Sequence, residues 1–286
     1  MSTKKPTLGA RPESARADSG RANIPEGVRF AAAAPRFHIE PLIAVSLTIL
    51  AAALAVAALG AGGAQANRAA LPQGSEPVDL DPADFTTRID HPYWPMKPGS
   101  RWVYRETDPD GTRQRVVVTV TSRTKKIANG ITARVVRDTV TEDGKLVEDT
   151  LDWYAQDKAG NVWYLGELTK EYENGKFKST KGSFEAGVDG AQPGILIPAK
   201  PREGLTYRQE YYAGEAEDKA EIFSLDEQAE VPAGHFEDVV MTKDLNPLEP
   251  KILEYKFYAR GVGPVLAIGV SGGSDREELI SFSRSR

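Results

Sequence analysis

The stretch RQRVVVTVTSRT, Arg113 to Thr124, sets the period of the chain. Val116, Val118 and Val120 fall on one face and Val117, Thr119 and Thr121 on the other. Such alternation of β-branched residues fits a pleated strand, not a helix. Working outward, IANG (127–130) reads as a turn and ITARVVRDTV (131–140) as the returning strand. KLVEDTLDWYAQ, a turn at DKAGN, and VWYLGE follow in the same manner. Asn174-Gly175 in TKEYENGKFKST is the strongest short hairpin signal in the chain, because both turn residues tolerate positive φ. Asp-Gly in DPDG (108–111) reads as another hairpin turn; a calcium loop would need a later glutamate that is not there. Beyond residue 67 no stretch keeps helical spacing. The expected fold is therefore all-β, a curved antiparallel sheet or partly open barrel.

The ten residues leading into the first strand, PMKPGSRWVY (95–104), recur as PAKPREGLTY (198–207), with Pro, Lys, Pro and Tyr offset by 103. Farther on, Tyr154-Ala155 and Tyr258-Ala259 are offset by 104. Self-similarity at a fixed period predicts two duplicated meander units, at about 95–181 and 198–284, joined by an irregular Gly- and Pro-rich loop over 182–197. The prolines keep the chain extended and out of the ladder until pairing starts. Trp94 and Trp102 would fill the open end of the sheet.

Residues 91–286 thus form a single β domain. Before it, residues 1–40 have the composition of a disordered leader, and 67–90 read as a Pro- and Asp-rich tether. Between them, 41–66 carries an uncharged apolar block from Leu42 to Leu59, which sits at the border between a signal-peptide core and a membrane span. Three glycines and Ala64-Gln65-Ala66 follow, the form of a cleavage site. Cleavage after Ala66 yields a periplasmic or extracellular protein; without it the block is an anchor helix in the cytoplasmic membrane. In both cases seven Lys/Arg against four Asp/Glu hold the leader inside and place residues 67–286 outside.

The remainder has 29 basic and 37 acidic residues, an acidic balance that argues against nucleic acid as a partner. With no cysteine there is no disulfide, no lipobox thiol and no thiolate metal site. Three histidines, His38, His91 and His235, are too few for a His-rich zinc site, and His91 and His235 sit in turn contexts. No metal or cofactor is expected. A nucleophile elbow is lacking, and the many carboxylates, including Glu171/Glu173 and the run GEAEDKAE (214–221), read as solvated faces.

YWPMKPGSRWVY, DTLDWYAQDKAGNVWYLGE and YARGVGPV together resemble a group of exported, β-rich bacterial proteins, over about Phe85 to Phe282. That resemblance implies location and a β fold and carries no catalytic residues. At fold level only, a curved sheet in an exported protein is similar to the lipoprotein-carrier half-barrels.

One concentration of aromatics points to binding. Trp153, Tyr154, Trp163 and Tyr164 put a ring on each face of one hairpin, and Trp94 is a further candidate ligand-binding ring. An exposed strip of this kind would suit an amphipathic or saccharide ligand, or an envelope protein. The leading expectation is a non-enzymatic binding module of the cell envelope. Its rival is a hydrolase of envelope polysaccharide using Glu185 and Asp189 as acid and base.

Overall fold

The computed structural model describes residues 71–285; the leader, the Leu42–Leu59 block and the Ala64-Gln65-Ala66 site lie outside them. Among the described residues no helix is long and apolar enough to cross a membrane. Apart from one short 3-10 turn, Pro82–Asp84, the regular structure of the described residues is β throughout.

The first half holds β1 (Phe85–Thr86), β2 (Ile89–His91), β3 (Trp94–Met96), β4 (Arg101–Thr107), β5 (Arg113–Lys126), β6 (Thr132–Glu142), β7 (Lys145–Asp157), β8 (Val162–Glu173) and β9 (Lys176–Ser179). β10 (Phe184–Glu185) and β11 (Gln192–Ile197) follow. The second half holds β12 (Thr206–Arg208), β13 (Glu210–Tyr211), β14 (Lys219–Val231), β15 (Gly234–Leu245), β16 (Leu253–Ala259), β17 (Gly263–Ser271) and β18 (Arg276–Ser283).

Antiparallel pairing runs β4-β5-β6-β7-β8-β11 in one half and β12-β14-β15-β16-β17-β18 in the other. β18 pairs with β4, which joins the halves on one side. On the other side the short segment 206–211 serves both: β12 pairs with β14, and β13 pairs with β11. At the switch, the Gln209 and Glu210 amides both donate to the Asp218 carbonyl. The sheet thereby comes nearly full circle and has an inside and an outside.

Inward positions near the chain's point of arrival are apolar. Trp102 and Tyr104 of β4, Val116, Val118 and Val120 of β5, Tyr154 of β7, Tyr164 of β8, Tyr258 of β16 and Leu279 of β18 are all buried there. β2 and β3 pair only with each other and plug this end; Trp94 packs against Tyr154 at 6.2 Å and Tyr258 at 5.8 Å, one from each half. Each ring so buried contributes about 2–3 kcal/mol of transfer free energy. The Trp102 indole donates to the Val262 carbonyl and the Tyr104 hydroxyl to that of Pro264, so the polar handles of these two rings are met.

The turn readings hold in detail: Asn174 and Gly175 both have positive φ, as a tight hairpin of this type requires. Two readings need correction. Residues 71–90 are not a loose tether. Leu71, Val78 and Leu80 pack on the core, β1 pairs with β7, and Arg208 holds the strap by donating to the Gly74 and Glu76 carbonyls. Nor is 182–197 only a joint, since it supplies β10 and the buried wall strand β11. Both segments lack a long enough alternating run for the period to show, and the sheet recruits them because its outer face also needs cover.

Candidate functional site

Both faces of the aromatic hairpin are covered, so the strip expected at the surface is not exposed. Tyr154 and Tyr164 point inward and stack at 5.0 Å and 23°. Trp153 and Trp163 point outward but are roofed. Lys125 Nζ lies 3.9 Å above the Trp153 ring, and Phe85 meets Trp163 edge-on at 6.1 Å. Gly166 lets β10 close over this face, where a Cβ would meet the Phe184 carbonyl at 2.3 Å. Trp94 is buried in the plug.

The alternative acid/base pair does not come together as a catalytic pair. Glu185 accepts from Lys125 Nζ at 2.7 Å and from the Ala128 amide at 2.9 Å, which ties down the roof over Trp153. Asp189 is exposed in a turn at φ 49°. His91 is no surface residue: it is buried, its Nε2 lies 3.0 Å from the Pro198 carbonyl, and its Nδ1 accepts from the Tyr93 amide. Burial pulls its imidazole down to about 4. His235 is exposed between Glu230 and Glu237.

The chemistry lies instead in the barrel's interior, above the aromatic floor. Glu106 follows Trp102 and Tyr104 on their face of β4; Asp138 lies between Val136 and Val140; Asp152 precedes Tyr154; Glu254 and Lys256 precede Tyr258. One row of ladder partners runs Thr242, Lys256, Ala267, Glu277, Glu106, Gln114, Glu142 across seven strands. Twelve Asp and Glu are buried among the described residues, against one lysine and one arginine, and that arginine, Arg208, is spent on the strap. Buried charge is costly unless paired, protonated or ligated, so this excess defines the site.

Its one ammonium is Lys256, whose Nζ lies 3.1 Å from both Asp244 Oδ2 and Glu254 Oε2. Burial would pull that amine down, but the two carboxylates outweigh it and hold it well above its ordinary value. Glu254 is nonetheless pushed up to about 7, by burial first, with Asp244 adding and Lys256 opposing. Burial raises Glu210 and Asp218 well above the carboxylate range; Asp218 raises Glu210 further, and Asp244 and Glu254 do the same for Asp218. Glu277 is raised by burial and then by Glu106, its partner across the ladder. Asp275 rises to about 6 through burial, with Asp108 adding. The Tyr164 hydroxyl bridges Asp152 and Glu167 at 3.0 and 2.8 Å.

Sequence reasoning took these carboxylates for solvated faces. The run GEAEDKAE in fact splits: Glu215 is exposed and Glu217 half-buried, while Asp218 is buried; likewise Glu171 is buried and Glu173 exposed. A signal was present in the phase of the alternation, since Glu106 stands two residues after Tyr104, Asp152 two before Tyr154 and Glu254 four before Tyr258, all at even spacing and so on the face of those rings. Among the described residues no three His, Asp or Glu are arranged to hold a metal ion.

No family model and no curated protein matches the chain. Among solved structures it is similar to a protein assigned as a lipoprotein from Parabacteroides distasonis, at 13% identity and a TM-score of 0.37, over 67% of this chain and 98% of that one.

Proposed function

We propose that this chain is an exported, non-enzymatic binding protein of the cell envelope, and that its ligand is taken up at the acidic tier inside the barrel. The observation that carries this reading is the division of the interior. A core selected for stability alone would continue the aromatic and aliphatic floor upward, because hydrophobic replacement of buried charges commonly gains about 1–4 kcal/mol. Here acids are retained at position after position, with Lys256 their only ammonium among the buried described residues. Export rests on the basic leader, the Leu42–Leu59 block and Ala64-Gln65-Ala66. In this reading the hairpin rings Tyr154 and Tyr164 form the ground beneath the site, and Trp153, Trp163 and Trp94 hold that ground in place.

Native mass spectrometry of protein purified from its own envelope tests the reading. A bound mass that leaves on denaturation is expected; a bare chain, prepared without dialysis, would overturn it. N-terminal sequencing of the same sample separates a start at Asn67 from a retained anchor.

A carboxylate-dependent hydrolase of envelope polysaccharide is the competing reading, moved from Glu185 and Asp189 to the tier. What favours it is Glu254, an acid raised to about 7 next to Asp244. What opposes it is that Glu254 is buried and engaged by Lys256. Hydrolysis of purified peptidoglycan that disappears in Glu254→Gln would establish the enzyme.

A further inference from the structure

We infer that the ligand of the acidic tier is a primary-ammonium compound of the polyamine class, held beside Glu210 and Asp218 by contacts of the kind Lys256 already makes with Asp244 and Glu254. The inference rests on the binding reading above and names its ligand.

Lys256 is the template. Its amine meets two buried carboxylates at hydrogen-bond distance, which shows the tier accepting an ammonium on a slender alkyl stem. The halves differ at the matching place. Lys256 stands two residues before Tyr258, and Asp152 stands two before Tyr154, at the same offset of 104 as the tyrosines. Where the second half brings its own cation, the first brings one more acid, hydrogen-bonded through Tyr164 to Glu167. Glu167 and Lys256 both act on Glu210, so the two sides form one continuous field.

A second observation does not depend on the acids. Gln209 donates through Nε2 to Asp244 Oδ2 at 3.3 Å, and Gln114 donates to Glu142 Oε2 at 3.2 Å. These bonds fix which end of each amide is nitrogen. The Oε1 atoms of both residues are buried without a donor among the described residues, as is the Tyr207 hydroxyl. A carboxylate can be silenced by a proton; an amide oxygen cannot, and it calls for a donor. An ammonium supplies three.

Metal chemistry fits less well. A hard divalent cation gathers about six to eight oxygens at roughly 2.0–2.6 Å, and no three acids converge in that manner here. The acceptors are instead spread around the wall from Glu210 and Asp218 to Glu277 and Glu106. Several ammonium groups spaced along one flexible chain match that spread.

The test adds spermidine, or calcium chloride at equal ionic strength, to the full-length protein at about pH 7.5. It follows the unfolding midpoint, and it measures heat in two buffers that differ in ionisation enthalpy. Spermidine is expected to raise the midpoint saturably by about 5 °C. It should also release at least one proton per chain on binding, as raised carboxyls ionise around the ligand. Glu210→Gln combined with Asp218→Asn should unfold at a higher temperature than the parent without ligand and bind spermidine at least tenfold more weakly. Glu277→Gln gives the same reading if the double variant does not fold, and Asp189→Asn, at the surface, should leave binding unchanged. A calcium response equal to that of spermidine would replace the ammonium with a metal. No response to either means that protons alone satisfy the tier. Each outcome overturns the inference. If native mass spectrometry then finds an uncharged or anionic ligand, the binding reading survives this failure; if it finds none, both fall.

Discussion

Tyr154 and Asp152 stand two residues apart on one face of β7, and they belong to opposite worlds. Tyr154 stacks on Tyr164 and touches Trp94 in the aromatic floor. Asp152 is as deeply buried but lies among Glu167 and the Tyr164 hydroxyl. Tyr258 and Lys256 repeat the contrast on β16, as do Tyr104 and Glu106 on β4. The floor lowers free energy by removing apolar area from water. The tier raises it by desolvating charge, so the barrel is stable by virtue of its lower half and carries its chemistry in its upper half.

That contrast can be broken most forcefully from below. Trp102→Ala removes a fully buried ring and its bond to the Val262 carbonyl, and should cost about 3–5 kcal/mol in urea unfolding. Loss of the tier's ligand response should follow only from loss of folding.

Next is the ammonium within the tier. Lys256→Met leaves Asp244 and Glu254 buried without a cation, and should cost about 3 kcal/mol near pH 8. Glu254 is raised to about 7 in the folded chain, above its ordinary 4.5. Its contribution is therefore complete below about 4.5 and is lost as pH rises through 7. In the variant, which lacks the opposing lysine, that loss should extend to higher pH, and unfolding midpoints of parent and variant should converge at about pH 5.

The plug and the tier should also answer pH with opposite signs. His91 sits at about 4 when folded and at 6.5 when free, so the unfolded chain binds the extra proton in that window. Its contribution is present above 6.5 and is lost as pH falls toward 4, on the order of 3 kcal/mol in all. His91→Gln should flatten the acid limb of the stability profile and leave the limb above pH 7 unchanged. An unaltered acid limb would mean that the plug does not govern it.

The smallest effect should be a gain. Glu277→Gln relieves the direct opposition of Glu277 and Glu106 across the ladder and should stabilise the chain by about 1 kcal/mol near pH 8. A loss of that size would mean that Glu277 is paired in solution.

Much of the frame was legible in the chain because strand alternation and turn chemistry are local. The valines of β5, the Asn174-Gly175 turn and the prolines ahead of β4 each act through their own φ/ψ and neighbours. β10, β11 and the strap were not legible, being two to six residues long or irregular, and they earn their place only as cover for Trp153, Trp163 and the sheet edge. The aromatic hairpin was legible as a concentration but not as a location, since a ring reads the same in sequence whether a roof lies over it or not.

The sequence by itself determined an all-β chain with acids in phase with its aromatic rings; alternation assigns each side chain to a face. Whether a face meets water is decided by closure. Once β18 pairs with β4 and segment 206–211 bridges β14 to β11, what would be the polar surface of an open sheet becomes the interior of a barrel. Glu106, Asp138, Glu210 and Glu277 are then buried together, drawn from strands up to about 170 residues apart, and no local pattern records that meeting.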